Sequence, residues 1–282
     1  MIAKPFGPTG REVPVIGQGS WNVPARGAAA EEAKRALRRG IELGMVHVDS
    51  AEMYGDGSAE RLIGEAIQGL PREQLFIVTK LLPSSGSYRG TIRACEGSLQ
   101  RLGIDYLDCY LLHWRGGEDL AETMSALEQL VADGKIRSLG VSNFEVDDLI
   151  EAQRALRREK IACNQILYHL GERTIESHEL EFCRDHGIAV VAYTPFGRGD
   201  WTDRSGARTL DAIARKHNAT PRQVILAFLT RDPIVFTIPK ASTIAHTEEN
   251  AGAGDLRLDA DDLAQIDSAF PRKKRRGGLP VL

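Results

Sequence analysis

The amino-acid sequence predicts an α/β protein: a (β/α)8 TIM barrel with an N-terminal β-hairpin, in a single domain over residues 1–282. Short apolar runs alternate with amphipathic helical patterns, and no change of composition marks a linker. Nearly every apolar run also ends in a polar or aromatic residue that a core strand would not choose. Alternation alone permits an open doubly wound sheet. Distinctive residues at the ends of nearly all the runs favour a barrel, because in a barrel those ends meet at one mouth.

Taken in order, the apolar runs predict eight barrel strands. The first twenty residues are a turn-rich β segment, and EVPVIGQGSW indicates a first strand that ends at Trp21. Its Gly17-Gln18-Gly19 is not completed to GxGxxG and precedes no helix directly, which indicates close packing at a strand. The remaining runs lie at residues 45–49, 75–80, 107–113, 136–142, 161–166, 188–193 and 234–239.

The segments between these runs carry helical patterns with recognisable ends. Glycine closes several of them at the position after the last helical residue, as in TIRACEGSLQRLG. Near residue 220, Thr220 as N-cap and Pro221 as the first helical residue predict a sharp helix start. These patterns complete the repeated strand–helix unit.

Composition and charge exclude several classes of protein. A formal net charge of −3 provides no field that attracts nucleic acid or an anionic membrane, so we expect neither as a partner. The four cysteines are widely spread and form no CxxC pair, which argues against a metal site and a disulfide framework. MIAKPFGPTG has no apolar signal segment, so we expect a cytoplasmic protein. We interpret the basic run at residues 272–276 as a solvated tail.

Four residues at or near the strand ends form a candidate acid–base set. Taken alone, Asp49 is typical of a turn, Lys80 of a solvated residue and His113 of a structural histidine. Together with Tyr54 they suit proton donation to an oxygen: the Lys80 ammonium lowers the pKa of the phenol, and Asp49 balances the lysine charge. His113 then hydrogen-bonds and orients a carbonyl oxygen. Hydride must come from a cofactor, since no side chain donates it.

The motifs that surround these residues resemble those of the aldo-keto reductase family, in the family's order and over essentially the whole chain. GMVHVDSAEMYGDGSAERLIGEAI (44–67) is similar to the first family motif, and later motifs are matched by FIVTK (76–80), LLHW (111–114), LGVSNF (139–144), CNQILYH (163–169), AYTPFGRG (192–199) and IPKAS (238–242). The resemblance implies a barrel with an extended nicotinamide cofactor across its mouth. It makes Tyr54 the proton donor, Lys80 and Asp49 the residues that tune it, and His113 the residue that orients the substrate.

The same resemblance implies two further groups of residues around the nicotinamide. One group holds the carboxamide or stacks on the ring, with an aromatic platform that fixes which face delivers hydride: Ser142, Asn143, Gln165 and Tyr193. The other forms apolar walls of the substrate pocket: Trp21, Met53 and Trp114. Met53 also fits an ordinary core position, whereas Trp114 directly follows His113 at the mouth.

The last motif departs from the family pattern. Lys240 keeps its place as a 2′-phosphate contact, and the two adenine-facing residues also keep theirs, namely Glu249 and Asn250. Ala241 replaces the usual serine and His246 replaces the usual arginine, which removes a bidentate phosphate donor. Compensation for these losses is expected from Ser242 or Thr243. We therefore expect NADPH as the cofactor, with only a modest preference over NADH.

The substrate and assembly follow from the resemblance alone. The chain is similar to small bacterial reductases of diketogluconates and other α-dicarbonyls, which implies a monomer that reduces a small aldehyde or ketone. Trp201, in the short loop after Tyr193, is a candidate lid residue. Two alternatives stay open: a cofactor-binding regulatory subunit with little turnover, and a barrel enzyme that uses Lys80 as a Schiff base.

Overall fold

The computed structural model describes residues 1–197, 204–275 and 277–281. Its β-strands are β1 (Ala3–Pro5), β2 (Glu12–Pro14), β3 (Gln18–Gly19), β4 (His47–Asp49), β5 (Phe76–Leu81), β6 (Cys109–Leu112), β7 (Leu139–Ser142), β8 (Ile161–Leu167), β9 (Ala189–Tyr193) and β10 (Val235–Thr237). Its α-helices are α1 (Gly27–Glu42), α2 (Ser58–Ile67), α3 (Tyr88–Leu102), α4 (Leu120–Ala132), α5 (Val146–Ala155), α6 (Glu179–Asp185), α7 (Arg204–Lys216), α8 (Pro221–Leu229), α9 (Ile244–Ala251) and α10 (Ala260–Ala269).

Strands β3 to β10 form an eight-stranded parallel sheet in chain order. The sheet closes on itself because backbone hydrogen bonds also join the first strand, β3, to the last strand, β10. Gly17 N–H donates to the carbonyl oxygen of Thr237 at 2.7 Å, and Gly19 N–H donates to that of Pro239 at 3.1 Å. The predicted (β/α)8 barrel is therefore confirmed, and the carboxyl ends of its strands face one mouth.

The N-terminal hairpin covers the opposite end of the barrel. Strands β1 and β2 pair antiparallel, and fully buried Phe6 between them packs with its ring centroid 4.7 Å from that of Phe76 and 5.0 Å from that of Phe236. Gly7 has a φ of +55°, and a Cβ there would lie 2.1 Å from the carbonyl oxygen of Ala162. Only glycine allows the hairpin to approach the barrel this closely.

The predicted first strand is wrong in one respect. The segment EVPVIGQGSW forms two strands instead of one: β2 belongs to the hairpin and β3 to the barrel, and Trp21 lies in a turn beyond β3. The chain passes tightly between them, since a Cβ on Gly17 would lie 2.8 Å from the carbonyl oxygen of His47. The other seven predicted runs each contain one barrel strand, with ends that differ by a few residues.

In the described part of the connection from β9 to β10 the chain forms α7 and α8, and the predicted start of α8 is confirmed. Thr220 caps α8 in a capping box with Gln223, and Pro221 is its first residue. Gln223 Nε2 also donates to the carbonyl oxygen of Glu249 at 2.9 Å, which ties the first turn of α8 to α9. Within the described residues, no helix has the length and apolar character needed to cross a bilayer.

Candidate active site

A pocket of about 720 Å³ opens at the carboxyl ends of the barrel strands. Its walls contain most of the residues that the sequence singles out at strand ends, together with residues from the loop after β9 and from the C-terminal segment. The lining residues are Gly19, Ser20, Trp21, Asp49, Met53, Tyr54, His113, Trp114, Arg115, Ser142, Asn143, Gln165, Tyr193, Thr194, Pro195, Phe196, Gly197, Ile238, Lys240 and Val281.

Lys80 lies beneath this pocket surface as half of a buried ion pair. Its Nζ donates to Asp49 Oδ1 at 2.6 Å and to the carbonyl oxygen of Ser50 at 2.6 Å. Burial lowers the pKa of Lys80, but the Asp49 carboxylate, joined at high pH by the Tyr54 phenolate, outweighs burial and raises it above its usual value. The lysine is therefore held as an ammonium, which is not the nucleophile that Schiff-base chemistry needs.

Tyr54 sits in the turn between β4 and α2. The Lys80 Nζ lies 5.0 Å from the centroid of the phenol ring. Burial raises the pKa of Tyr54 above its ordinary 10, and the Lys80 charge lowers it only in part. The expectation of a lowered phenol pKa is therefore wrong in its net direction, because the ring is largely removed from water. The positive charge of Lys80 opposes the effect of burial, because it favours the phenolate over the phenol.

Buried Glu60 anchors the helix that follows Tyr54. Its Oε1 accepts a hydrogen bond from Thr79 Oγ1 at 2.6 Å, and its Oε2 accepts one from Arg101 Nε at 2.5 Å. Thr79 is the strand neighbour of Lys80, so one carboxylate connects α2, α3 and β5. This network fixes the Tyr54 turn against the strand that carries Lys80.

His113, directly after β6, faces the same pocket as a neutral imidazole. Burial, together with the Lys80 charge, lowers the pKa of His113 to about 3. Its ring centroid lies 5.7 Å from that of Tyr54, edge to face, and 4.9 Å from that of Trp114. The buried Nδ1 has no hydrogen-bond partner among the residues that the structure describes. At neutral pH this imidazole carries one N–H and can donate it without carrying charge.

The three amide and hydroxyl groups expected around the carboxamide are brought together at the ends of β7 and β8. Asn143 has a φ of +57°, and its Nδ2 donates to Ser142 Oγ at 3.1 Å and to the carbonyl oxygen of His113 at 3.2 Å. Tyr193 donates its hydroxyl to Asn143 Oδ1 at 2.9 Å. Gln165 Nε2 donates to Asp49 Oδ2 at 2.7 Å, which leaves the Gln165 oxygen as the acceptor of that amide.

Exposed apolar side chains line the mouth, where water normally disfavours them. Trp21 is 51% exposed, Met53 44% and Trp114 38%, and all three line the pocket. Exposed large apolar groups gathered in one place indicate a binding surface. Met53 is therefore not the ordinary core residue that its position also permitted.

The last predicted group extends from the pocket along α9. Lys240 is exposed and lines the pocket, and Thr243 caps α9, where its Oγ1 accepts the N–H of His246 at 3.4 Å. Glu249 and Asn250 form the other end of this helix. Buried atoms of Ser242 (Oγ) and Asn250 (Oδ1) have no hydrogen-bond partner in the described ranges. The pocket lining includes none of the residues from 242 to 250.

The C-terminal segment contributes a wall that sequence analysis missed. Arg275 forms ion pairs with buried Glu179 and, at 3.0 Å, with Glu145. Glu145 also accepts the N–H of Leu279 at 2.7 Å, and Val281 lines the pocket. Interpretation of the basic run as a solvated tail is therefore wrong for Arg275. The basic run was the only signal in the sequence, because the partners of Arg275 are distant in the chain: Glu179 lies 96 positions away and Glu145 is farther still.

Trp201 lies outside the described residues. Within the described ranges, no cluster of three or more histidine, cysteine or acidic residues could hold a metal ion.

Comparison with known proteins identifies the family that has this arrangement. The model of the Aldo/keto reductase family matches residues 15–270. The chain belongs to the aldo/keto reductase family. The relatives of this aldo/keto reductase include the methylglyoxal reductase YeaE of Escherichia coli, 41% identical over 273 residues that cover 96% of this chain and 95% of the relative.

Other relatives support the same assignment. The glyoxal reductase of Bacillus subtilis is 36% identical and is matched over 96% of this chain and 94% of its own. An aldo/keto reductase from Klebsiella pneumoniae, solved in complex with NADP and acetate, has a TM-score of 0.90 and 41% identity over 99% of both chains. These relatives agree with carbonyl reduction as the activity of the family member described here.

Proposed function

We propose that this chain reduces a small aldehyde or ketone, α-dicarbonyls among them, to an alcohol with hydride from NADPH, and that Tyr54 donates the proton. The observation that carries the proposal is the meeting of Tyr54 and His113 in an apolar pocket, with the buried ammonium of Lys80 5.0 Å from the Tyr54 ring. The methylglyoxal and glyoxal reductases among the relatives support the substrate class.

The proton step uses the phenol and the ion pair behind it. Because burial keeps the pKa of Tyr54 high, the phenol is protonated at neutral pH and has a proton to give. As the carbonyl carbon accepts hydride, the oxygen gains negative charge and takes this proton. The Lys80 ammonium, held by Asp49 at 2.6 Å, then stabilises the phenolate.

His113 orients the carbonyl in this scheme. A neutral imidazole donates one N–H to the carbonyl oxygen and polarises it without competing with Tyr54 as an acid. The apolar walls exclude water from the oxygen and strengthen both hydrogen bonds. These walls are formed by Trp21, Met53 and Trp114.

The residues at the mouth fit a nicotinamide dinucleotide. NADPH, when bound, supplies the hydride. Ser142, Asn143 and Gln165 hold the carboxamide, and the Tyr193 ring, whose hydroxyl is fixed by Asn143, is the platform for the flat ring. The side-chain oxygen of Gln165 is suited to accept a hydrogen bond from the carboxamide N–H, since the side-chain nitrogen of Gln165 already donates to Asp49.

The polar groups along α9 fit the adenosine end of the same cofactor. Buried polar atoms that lack a partner in the protein normally form hydrogen bonds with water or a ligand. The Ser242 hydroxyl and the Asn250 oxygen are two such atoms among the described residues. We assign the 2′-phosphate contacts to Lys240, Ser242, Thr243 and His246, and the adenine edge to Glu249 and Asn250. A histidine in place of arginine lacks the planar pair of donors that binds a phosphate in bidentate fashion, so some use of NADH is part of the proposal.

We also propose that the chain acts as a single-domain, cytoplasmic monomer. Among the described residues, the large exposed apolar side chains are Trp21, Met53, Trp114, Val281 and Ile244. All but Ile244 line the pocket, which leaves little apolar surface for a subunit interface. Light scattering of the purified protein tests the monomeric state, because it measures the molar mass in solution.

The deciding experiment is NADPH oxidation with methylglyoxal, glyoxal and a simple aldehyde, beside direct titration of NADPH. Turnover together with binding supports the proposal. Tight binding without turnover of any carbonyl would instead support a regulatory subunit. Absence of NADPH affinity, with trapping of a substrate on Lys80 by borohydride, would support Schiff-base chemistry.

A further inference from the structure

Arg222 occupies an unusual position beside the residues assigned to adenine. It is the second residue of α8, and its guanidinium carbon lies 3.9 Å from the centroid of the Phe196 ring. Phe196 lines the pocket in the loop that follows Tyr193, so the stacked pair continues the pocket wall outward. A guanidinium plane packed on an aromatic face is a flat, cationic surface.

The contacts of Arg222 leave part of its hydrogen-bonding capacity unused. Its Nε lies 3.6 Å from Glu249 Oε2, beyond hydrogen-bond distance, and this buried atom has no hydrogen-bond partner in the part of the chain that the structure describes. The side chain is 33% exposed, so the guanidinium is not sealed inside the fold. A partly exposed ion pair with this long separation contributes little to the stability of the fold. Ligand binding is therefore the simpler explanation of the position of Arg222.

The local fold holds Arg222 firmly in this place. The capping box of Thr220 and Gln223 fixes the first turn of α8, and the Gln223 side chain donates a hydrogen bond to the carbonyl oxygen of Glu249. Next to Glu249 in the chain, Asn250 is buried, with 2% of the residue exposed, and its Oδ1 has no partner among the described residues. The flat surface of Arg222 thus lies beside the Glu249 carboxylate, and the next residue in the chain has a buried amide oxygen without a partner in the described ranges. Carboxylate and amide groups can form hydrogen bonds with the edge of a purine.

We propose that Arg222, stacked on Phe196, contacts the face of the cofactor's adenine ring, while Glu249 and Asn250 contact the edge of the same ring. This inference rests on the proposed function, since it takes a nicotinamide dinucleotide as the ligand. It adds a residue that the family motifs do not include. Because NADPH and NADH have the same adenine, Arg222 strengthens the binding of both equally and leaves the preference between them unchanged.

The test is fluorescence titration of NADPH, NADH and reduced nicotinamide mononucleotide, which has the nicotinamide but no adenine. Stacking on a base contributes about 1–3 kcal/mol, so Arg222→Met should weaken NADPH and NADH at least about fivefold each. Binding of the mononucleotide should not change. Arg93→Met is the matched control: Arg93 is exposed on α3, away from α8, and forms no ion pair with the described residues.

Each other outcome overturns the inference. Loss of NADPH affinity alone would place Arg222 at the 2′-phosphate, and unchanged affinities would make it a purely structural residue. Equal loss for the mononucleotide would mean that the variant disturbs the whole site. Arg222→Lys keeps the positive charge but loses the planar guanidinium group. Unchanged affinity of that variant for NADPH and NADH would therefore also contradict stacking on adenine. Because these readouts are binding constants, a wild-type protein that binds NADPH without turnover would overturn only the proposed function.

Discussion

Asp49 and Gln165 meet across the barrel, where the Gln165 Nε2 donates to the Asp49 Oδ2 at 2.7 Å. The two residues are 116 positions apart in the chain. The other oxygen of the same carboxylate holds Lys80 at 2.6 Å. One buried carboxylate therefore links the acid–base residues to the residues assigned to the carboxamide, and a change at Asp49 is expected to affect both.

Tyr54→Phe tests the proton donor. The variant keeps the ring and removes only the hydroxyl, so turnover should fall at least about a hundredfold, in the range for lost acid catalysis. NADPH affinity should stay nearly unchanged. Steady-state kinetics with methylglyoxal, together with NADPH titration, measure both quantities. Near-normal turnover would exclude Tyr54 as the donor.

Asp49→Asn tests the coupling of the ion pair. The carboxylate raises the pKa of Lys80 against burial, which lowers it. Without that charge burial dominates, and Lys80 loses its proton at lower pH. Since a lysine is charged only below its pKa, the alkaline limb of the kcat/KM profile should move to lower pH. Lys80→Met should abolish most activity. An unchanged apparent pKa in Asp49→Asn would contradict the coupling.

His246→Arg tests the phosphate contact. A charge-assisted hydrogen bond contributes about 1.5–3 kcal/mol, which corresponds to roughly tenfold to over a hundredfold in affinity. The variant should tighten NADPH by a sizeable part of that factor and leave NADH nearly unchanged, because NADH has no 2′-phosphate. Fluorescence titration of both cofactors is the measurement. Equal tightening of both would show that this position does not face the phosphate.

His47 predicts an acid-sensitive stability. It is fully buried beside Phe6 and Phe76, and burial, with the Lys80 charge, lowers its pKa to about 3. The unfolded chain therefore binds a proton that the folded chain does not, so stability is lost as pH falls from about 6.5 towards 3. Between neutral pH and pH ~4 this loss is about 3 kcal/mol. In urea unfolding, His47→Gln should remove this part of the pH dependence of the free energy of unfolding. An identical pH dependence in both proteins would contradict the attribution of this effect to His47.

The sequence by itself determined the barrel and most of the residues at its mouth. Strand periodicity and helix caps such as Thr220 are local properties, and they are visible over a few neighbouring residues. Because the strands are parallel, their carboxyl ends meet at one mouth whatever the detailed packing. For that reason, placing Asp49, His113 and Tyr193 around one pocket required no knowledge of tertiary contacts.

Only the tertiary structure decided how these residues act on one another. The Asp49–Gln165 hydrogen bond and the Arg222–Phe196 stack join distant segments, and side-chain identity does not encode such pairings locally. The net pKa direction of Tyr54 depends on how much water the closed barrel removes, since burial and the Asp49 charge raise this pKa while the Lys80 charge lowers it. Arg275 illustrates the same limit: in sequence it belongs to a basic run, and it becomes a structural anchor only because the fold brings Glu145 and Glu179 beside it.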